Sequence, residues 1–114
     1  MAQCDLTKKE CVPCSGGVPP LTRELIDELL AELGNGWRVS DGRRLEKTFA
    51  FSNFREALTF TNQVGEIAEK QGHHPEIHLG WGHVTLLIWT HKINGLTESD
   101  FVLAARAELA RCPE

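Results

Sequence analysis

Histidine is the side chain whose ordinary titration range spans neutral pH, so its placement is the first guide to acid–base or metal chemistry. This chain of 114 residues has five histidines, and all of them fall between His73 and His91. His73 and His74 follow Gly72 at the exit of an expected long helix, where the negative end of the helix dipole favours a protonated imidazole. Glu69 lies one helical turn back, within reach of either ring. A histidine held in this way can donate a proton near neutral pH, as a general acid must. His91 ends an expected strand and opens the loop KINGLT, a position where functional residues concentrate. His78 and His83 fall inside expected strands and read most simply as exposed residues. A metal centre is the competing interpretation. The spacings His74 to His78 and His78 to His83 both occur in zinc sites. However, Pro75 breaks any helix between the first pair, and strand residues four apart are ~13 Å from each other. The residues therefore point to a pocket between the loop after the second helix and the loop after the last strand. It would hold His73, His74, His91, Glu69 and the flat face of Trp81 or Trp89, although ordinary packing explains the tryptophans equally well.

Other chemistries lack their residues. There is no P-loop, Gly34-Asn-Gly36 follows a helix and lacks a third glycine, and no G-x-S-x-G elbow is present. Tyrosine is absent, so no phenol can serve as acid or base. Of the four cysteines, Cys4, Cys11 and Cys14 lie in the first 20 residues and Cys112 near the end. Cys11-Val-Pro-Cys14 is a CxxC, but it has no second pair and no surrounding βαβ unit, so a flexible tail is expected for residues 1–20, ending in the linker-like SGGVPP. Residues 21–114 are expected to form one domain. The net charge of −4 argues against nucleic acid as a partner. No apolar run reaches the ~18 residues of a membrane span, and the first residues lack a secretory apolar stretch; a cytoplasmic location is expected.

Periodicity supplies the scaffold. A helix is expected from about Thr22 to Leu33, capped by Thr22 and stopped by Gly34, with a stripe of Leu25, Ile26, Leu29, Leu30 and Leu33. Trp37 to Val39 and Leu45 to Phe51 read as strands joined at Asp41-Gly42. Ser52 reads as the cap of a helix from about Asn53 to Gln71, whose buried face would hold Phe54, Ala57, Leu58, Thr61, Val64, Ile67 and Ala68. Glu76 to Trp81 and His83 to Thr90 form a second hairpin. Its outer face is partly apolar through Leu87 and Trp89, so association through the sheet or its edge is open to it. Thr97 and Asp100 occupy the two ends of a capping box for a last helix bearing Phe101, Val102, Ala105 and Leu109. The order α-β-β-α-β-β-α predicts an α+β two-layer sandwich, a four-stranded antiparallel sheet with three helices on one face. The short connections within each strand pair exclude parallel crossovers.

On particular residues the chain resembles the pterin-4a-carbinolamine dehydratases. Glu69, three residues, His73-His74-Pro75, five residues, Trp81, nine residues, His91, eight residues and Asp100 together match that family's pattern. The surrounding HHPEIHLGWGHVTL, THKINGLTESDF and WRV…LEKTFAF are similar too, and the resemblance runs from about residue 20 to the end. It implies dehydration of 4a-hydroxytetrahydropterin to quinonoid dihydropterin, in the recycling of the pterin used by aromatic amino-acid hydroxylases. It also implies that neither a metal nor a cofactor is needed, pterin being the substrate. His73, His74 and His91 would be the active site: His73 and His91 handling protons, His74 binding and orienting pterin, and Glu69 positioning His73. Pro75 and Trp81 would complete the binding residues. For Asp100 the pattern leaves two roles open, a site residue or only a helix cap. The resemblance further implies a homodimer or homotetramer, and an alternative role as a transcriptional cofactor. Trp89 departs from relatives that carry a small hydroxyl residue there. Because a loop histidine makes few core contacts, replacing His73 is expected to cost little stability.

Overall fold

The structure, a computed structural model, describes residues 21–111. The tail of residues 1–20 and all four cysteines lie outside the described residues. The chain forms α1 (Arg23–Leu33), β1 (Arg38–Ser40), β2 (Arg44–Ala50), α2 (Phe54–Gln71), β3 (Glu76–Gly80), β4 (His83–Ile88) and α3 (Glu98–Arg111). The four strands make one antiparallel sheet in the order β1-β2-β4-β3. The three helices cover one face, so the α+β sandwich read from the sequence is the observed fold.

Local sequence explains the corners. Asp41 and Gly42 both take positive φ, 56° and 71°, which is the mirror-image turn that matches the twist of β1 and β2. The cap of α2 is Asn53, one residue later than expected: its side chain accepts from the Glu56 N–H at 2.9 Å. Ser52 instead gives its own N–H to the Glu56 carboxylate. At the other end Gly72 adopts φ 68° and ψ 28°, and the His73 N–H returns to the Ala68 carbonyl at 3.1 Å. That left-handed residue is what stops α2 and turns His73 inward.

Period-two alternation puts Leu45 and Phe49 of β2 and Val84, Leu86 and Ile88 of β4 into the core. Phe60 of α2 meets Phe49 at 4.6 Å between ring centroids, and Val64 and Ala68 continue the same stripe. Phe54 and Leu58, expected on this face, are exposed, and Phe60 takes the buried place. Ala57, Val64 and Ala68 of the expected stripe are buried as expected, and the line that meets the sheet runs through Phe60 beside them. In α1 only Leu33 is fully buried and Leu25 is exposed, because this helix packs chiefly on α3. By contrast α3, which packs against the sheet, α1 and α2 alike, is buried continuously from Ser99 to Ala105. Leu109 was expected on its apolar side but is 60% exposed, near the end where α3 leaves the core. One ionic cluster closes the sandwich: the Glu108 carboxylate accepts from Trp37 Nε1 at 2.8 Å and from Lys47 Nζ at 2.5 Å. No helix among the described residues is long and apolar enough to cross a membrane.

Candidate active site

Three pieces of chain converge at one end of the sheet. The left-handed Gly72 ends α2 and delivers His73 and His74. The loop after β4 delivers His91. It is closed at its neck by a bridge between Thr90 and Gly95, whose N–H and C=O groups pair at 2.9 and 3.4 Å. The N-terminus of α3 brings Asp100 in beneath both. Between them lies a cleft of ≈ 250 Å³ lined by Gly72, His73, His74, Trp89, Thr90, His91 and Lys92.

His73 and His74 are neighbours in sequence and opposites in environment. The His73 ring is 8% exposed, and its Nε2 lies 2.5 Å from Oδ1 of Asp100, which is fully buried. The second carboxylate oxygen accepts the Thr97 N–H at 2.8 Å and the Thr90 hydroxyl at 2.9 Å. With its own proton committed to Asp100, Thr90 can only accept from the Thr97 hydroxyl, 3.0 Å away. Three donors on two oxygens satisfy a carboxylate that would otherwise be costly to bury. An ionised carboxylate can only accept, so neutral His73 must carry its proton on Nε2 and keep its lone pair on Nδ1. Asp100 thus holds the α3 N-terminus and hydrogen-bonds His73 at once, so its contacts go beyond those of a helix cap. The same bond overturns the stability expectation for His73. The residue is buried, and removing it leaves Asp100 short of a donor.

His74 points outward. Its Nε2 lies 2.6 Å from Oε2 of Glu69, and both side chains are mostly exposed. Glu69 therefore holds His74, not His73 as expected: past the left-handed turn the outward residue, not the inward one, lies back over the last turn of α2. His91 is exposed, and its ring stacks on Trp89 with centroids 4.3 Å apart and planes 19° from parallel.

Other expected residues fall elsewhere. Trp81 is 70% exposed at the turn between β3 and β4, the end of the hairpin remote from the cleft. Five residues of strand, about 17 Å, separate it from Glu76. Within one chain the aromatic residue lining the cleft is Trp89, whereas Trp81, which the resemblance implied as a binding residue, is not among the lining residues. Pro75 is half-buried between His74 and β3 and sets the direction of the strand. His78 and His83 are exposed, as expected for them, and His78 meets Glu76 at 3.3 Å. Among the described residues no three His, Cys, Asp or Glu side chains group as ligands for a metal ion. Thr90 and Thr97 were missed as site residues. The available signal was Thr97-x-x-Asp100, which places a hydroxyl and a carboxylate together at a helix start.

A family model described as pterin 4 alpha carbinolamine dehydratase matches residues 19–110. A protein of Rubrobacter xylanophilus provisionally named pterin-4-alpha-carbinolamine dehydratase is 56% identical over 104 residues, 91% of this chain and 96% of its own length. One of Rickettsia canadensis with the same provisional name is 53% identical over 103 residues, 90% of this chain and 94% of its own. Among solved structures, a transcriptional coactivator/pterin dehydratase from Brucella melitensis superposes with a TM-score of 0.75 at 35% identity, covering 80% of this chain and 97% of that one. A pterin dehydratase-like protein identified as a RuBisCO assembly factor in the alpha-carboxysome gives a TM-score of 0.56 at 25% identity, covering 65% of this chain and 87% of that one. With its fold, its histidine cleft and a match over most of its length, this chain belongs to the pterin 4 alpha carbinolamine dehydratase family.

Proposed function

We propose that the protein is a lyase that dehydrates 4a-hydroxytetrahydropterin to quinonoid dihydropterin by histidine acid–base catalysis, with no metal and no cofactor beyond the pterin itself. The reaction breaks the C4a–O bond, delivers a proton to the departing hydroxide, and removes the proton on N5 as the C4a–N5 double bond forms. It needs an acid and a base on a small planar substrate, and little else. The observation that carries this reading is the buried Asp100–His73 pair at the floor of a cleft that also holds His74 and His91. In this scheme His73 and His91 handle the two protons. His74, held by Glu69, binds and orients the pterin. The chain works as a homo-oligomer in the cytoplasm, in the recycling of a pterin cofactor.

The test is dehydration of 4a-hydroxytetrahydropterin generated in situ, followed by the absorbance of the quinonoid product. Acceleration over the spontaneous reaction supports the proposal, and an unchanged rate contradicts it. The solved relatives named as a coactivator and as an assembly factor favour a second reading, a protein-interaction module on the same fold. That reading predicts an unchanged rate together with a stoichiometric protein complex.

A further inference from the structure

We infer that Trp89 is a positioning residue for His91, a role that rests on the dehydratase reading above. The three cleft histidines are held by different means. His73 is hydrogen-bonded to Asp100 and His74 to Glu69, at 2.5 and 2.6 Å. Among the described residues no hydrogen bond or ion pair holds the His91 ring; the contact that orients it is the stack on the Trp89 indole, 4.3 Å away and 19° from parallel. An exposed loop histidine without such a contact samples several rotamers, and a proton-transfer group must instead keep one.

Trp89 is itself anchored. It follows Ile88 at the end of β4, and the adjacent strand places Arg44 beside it, one step past the Leu45–Ile88 pair. The Arg44 guanidinium lies 4.7 Å from the indole centroid, a cation–π distance. Arg44 is in turn tied to Asp41 of the β1–β2 turn, with Nη1 to Oδ2 at 3.1 Å. Its Nε is buried with no hydrogen-bond partner, and the contacts that place the guanidinium are that ion pair and the π contact. A line of contacts Asp41–Arg44–Trp89–His91 therefore runs from the β1–β2 turn to the mouth of the cleft. With two protein groups already on it, the indole is better placed to hold His91 than to stack a substrate.

The test compares full-length wild type, Trp89→Leu, Trp89→Phe and Arg44→Met in two ways. Ring-proton NMR, with His91 assigned through His91→Ala, reads the stack through the upfield ring-current shift. Steady-state dehydration kinetics read its consequence. The expected result is a shifted His91 signal in wild type that Trp89→Leu abolishes, with kcat about tenfold lower and KM within about twofold. Trp89→Phe, which keeps an aromatic face, restores most of both, and Arg44→Met lowers both in the same direction but by less. Loss of the shift with kcat unchanged would overturn the positioning role. A raised KM at constant kcat would make Trp89 a substrate wall instead. Absence of the shift in wild type would remove the stack itself. A wild type that keeps the shift but does not dehydrate the substrate would sink the dehydratase reading, and the role of Trp89 in catalysis with it.

Discussion

Replacing Asp100 by asparagine changes one atom of a buried side chain and tests how His73 is set. The carboxylate takes His73 Nε2–H on Oδ1, and the Thr97 N–H and Thr90 hydroxyl on Oδ2. An amide offers one acceptor oxygen and one donor nitrogen. Turning the nitrogen toward the threonine side would oppose two donors; turning it toward His73 opposes one, so it faces His73. The imidazole can then keep a hydrogen bond only by moving its proton from Nε2 to Nδ1. Two hydrogen bonds also change from charge-assisted to neutral, at about 1 kcal/mol each. The sum is about 2 kcal/mol of stability, or roughly 10 °C in Tm for a domain of this size. The larger effect is on catalysis. A proton-transfer residue in the wrong tautomer forfeits its contribution, about 10²- to 10⁴-fold. The assay is threefold: thermal unfolding, imidazole ¹⁵N shifts that report which ring nitrogen of His73 is protonated, and dehydration rate. A folded Asp100→Asn protein that keeps His73 protonated on Nε2 and runs within about threefold of wild type would refute the reasoning.

Other substitutions probe the same scaffold. Gly72→Ala meets no neighbour within 4 Å of the new Cβ, so the turn can be kept and its cost is the left-handed backbone alone, about 1 kcal/mol; unchanged unfolding would contradict this. Thr90→Val keeps the shape but removes a donor to buried Asp100 and an acceptor for Thr97, and should lower stability by about 1–2 kcal/mol in denaturant titrations. Glu69→Gln removes the charge from an exposed pair and should leave Tm nearly unchanged while raising KM, since the carboxylate helps to hold His74. Lys47→Met removes one of the two donors on Glu108 in a mostly buried setting and should destabilise more than Glu69→Gln does, by about 1–3 kcal/mol, read by the same titrations.

Much of the fold was legible because its corners are written in residues with few alternatives. Asp41-Gly42, Gly72 and Thr97-x-x-Asp100 each specify a backbone shape, and the alternation through β2 and β4 fixes which side of the sheet is covered. Burial along the helices was less legible. The apolar pattern of α2 admits Phe54 and Leu58 as readily as Phe60, and only the sheet decides among them. In α3 every residue from Ser99 to Ala105 is buried, so no periodic stripe could mark the side that faces the sheet. Within the site, clustering of histidines in sequence pointed to the right loops. It could not assign partners: Glu69 lies four residues from His73 and five from His74, and only the left-handed turn at Gly72 directs it to the latter. The family pattern singled out Trp81, yet a two-residue turn places it at the far end of the hairpin and Trp89 lines the cleft instead.

The central claim is that three histidines, and not a metal, accelerate the dehydration. The most direct measurement is the rate of quinonoid product formation from 4a-hydroxytetrahydropterin, in excess chelator, for wild type, His73→Ala and His91→Ala at equal concentrations of folded protein. The account predicts chelator-resistant acceleration by wild type that each substitution reduces by about 10²-fold or more. Acceleration that the chelator abolishes, or that survives both substitutions, would contradict it.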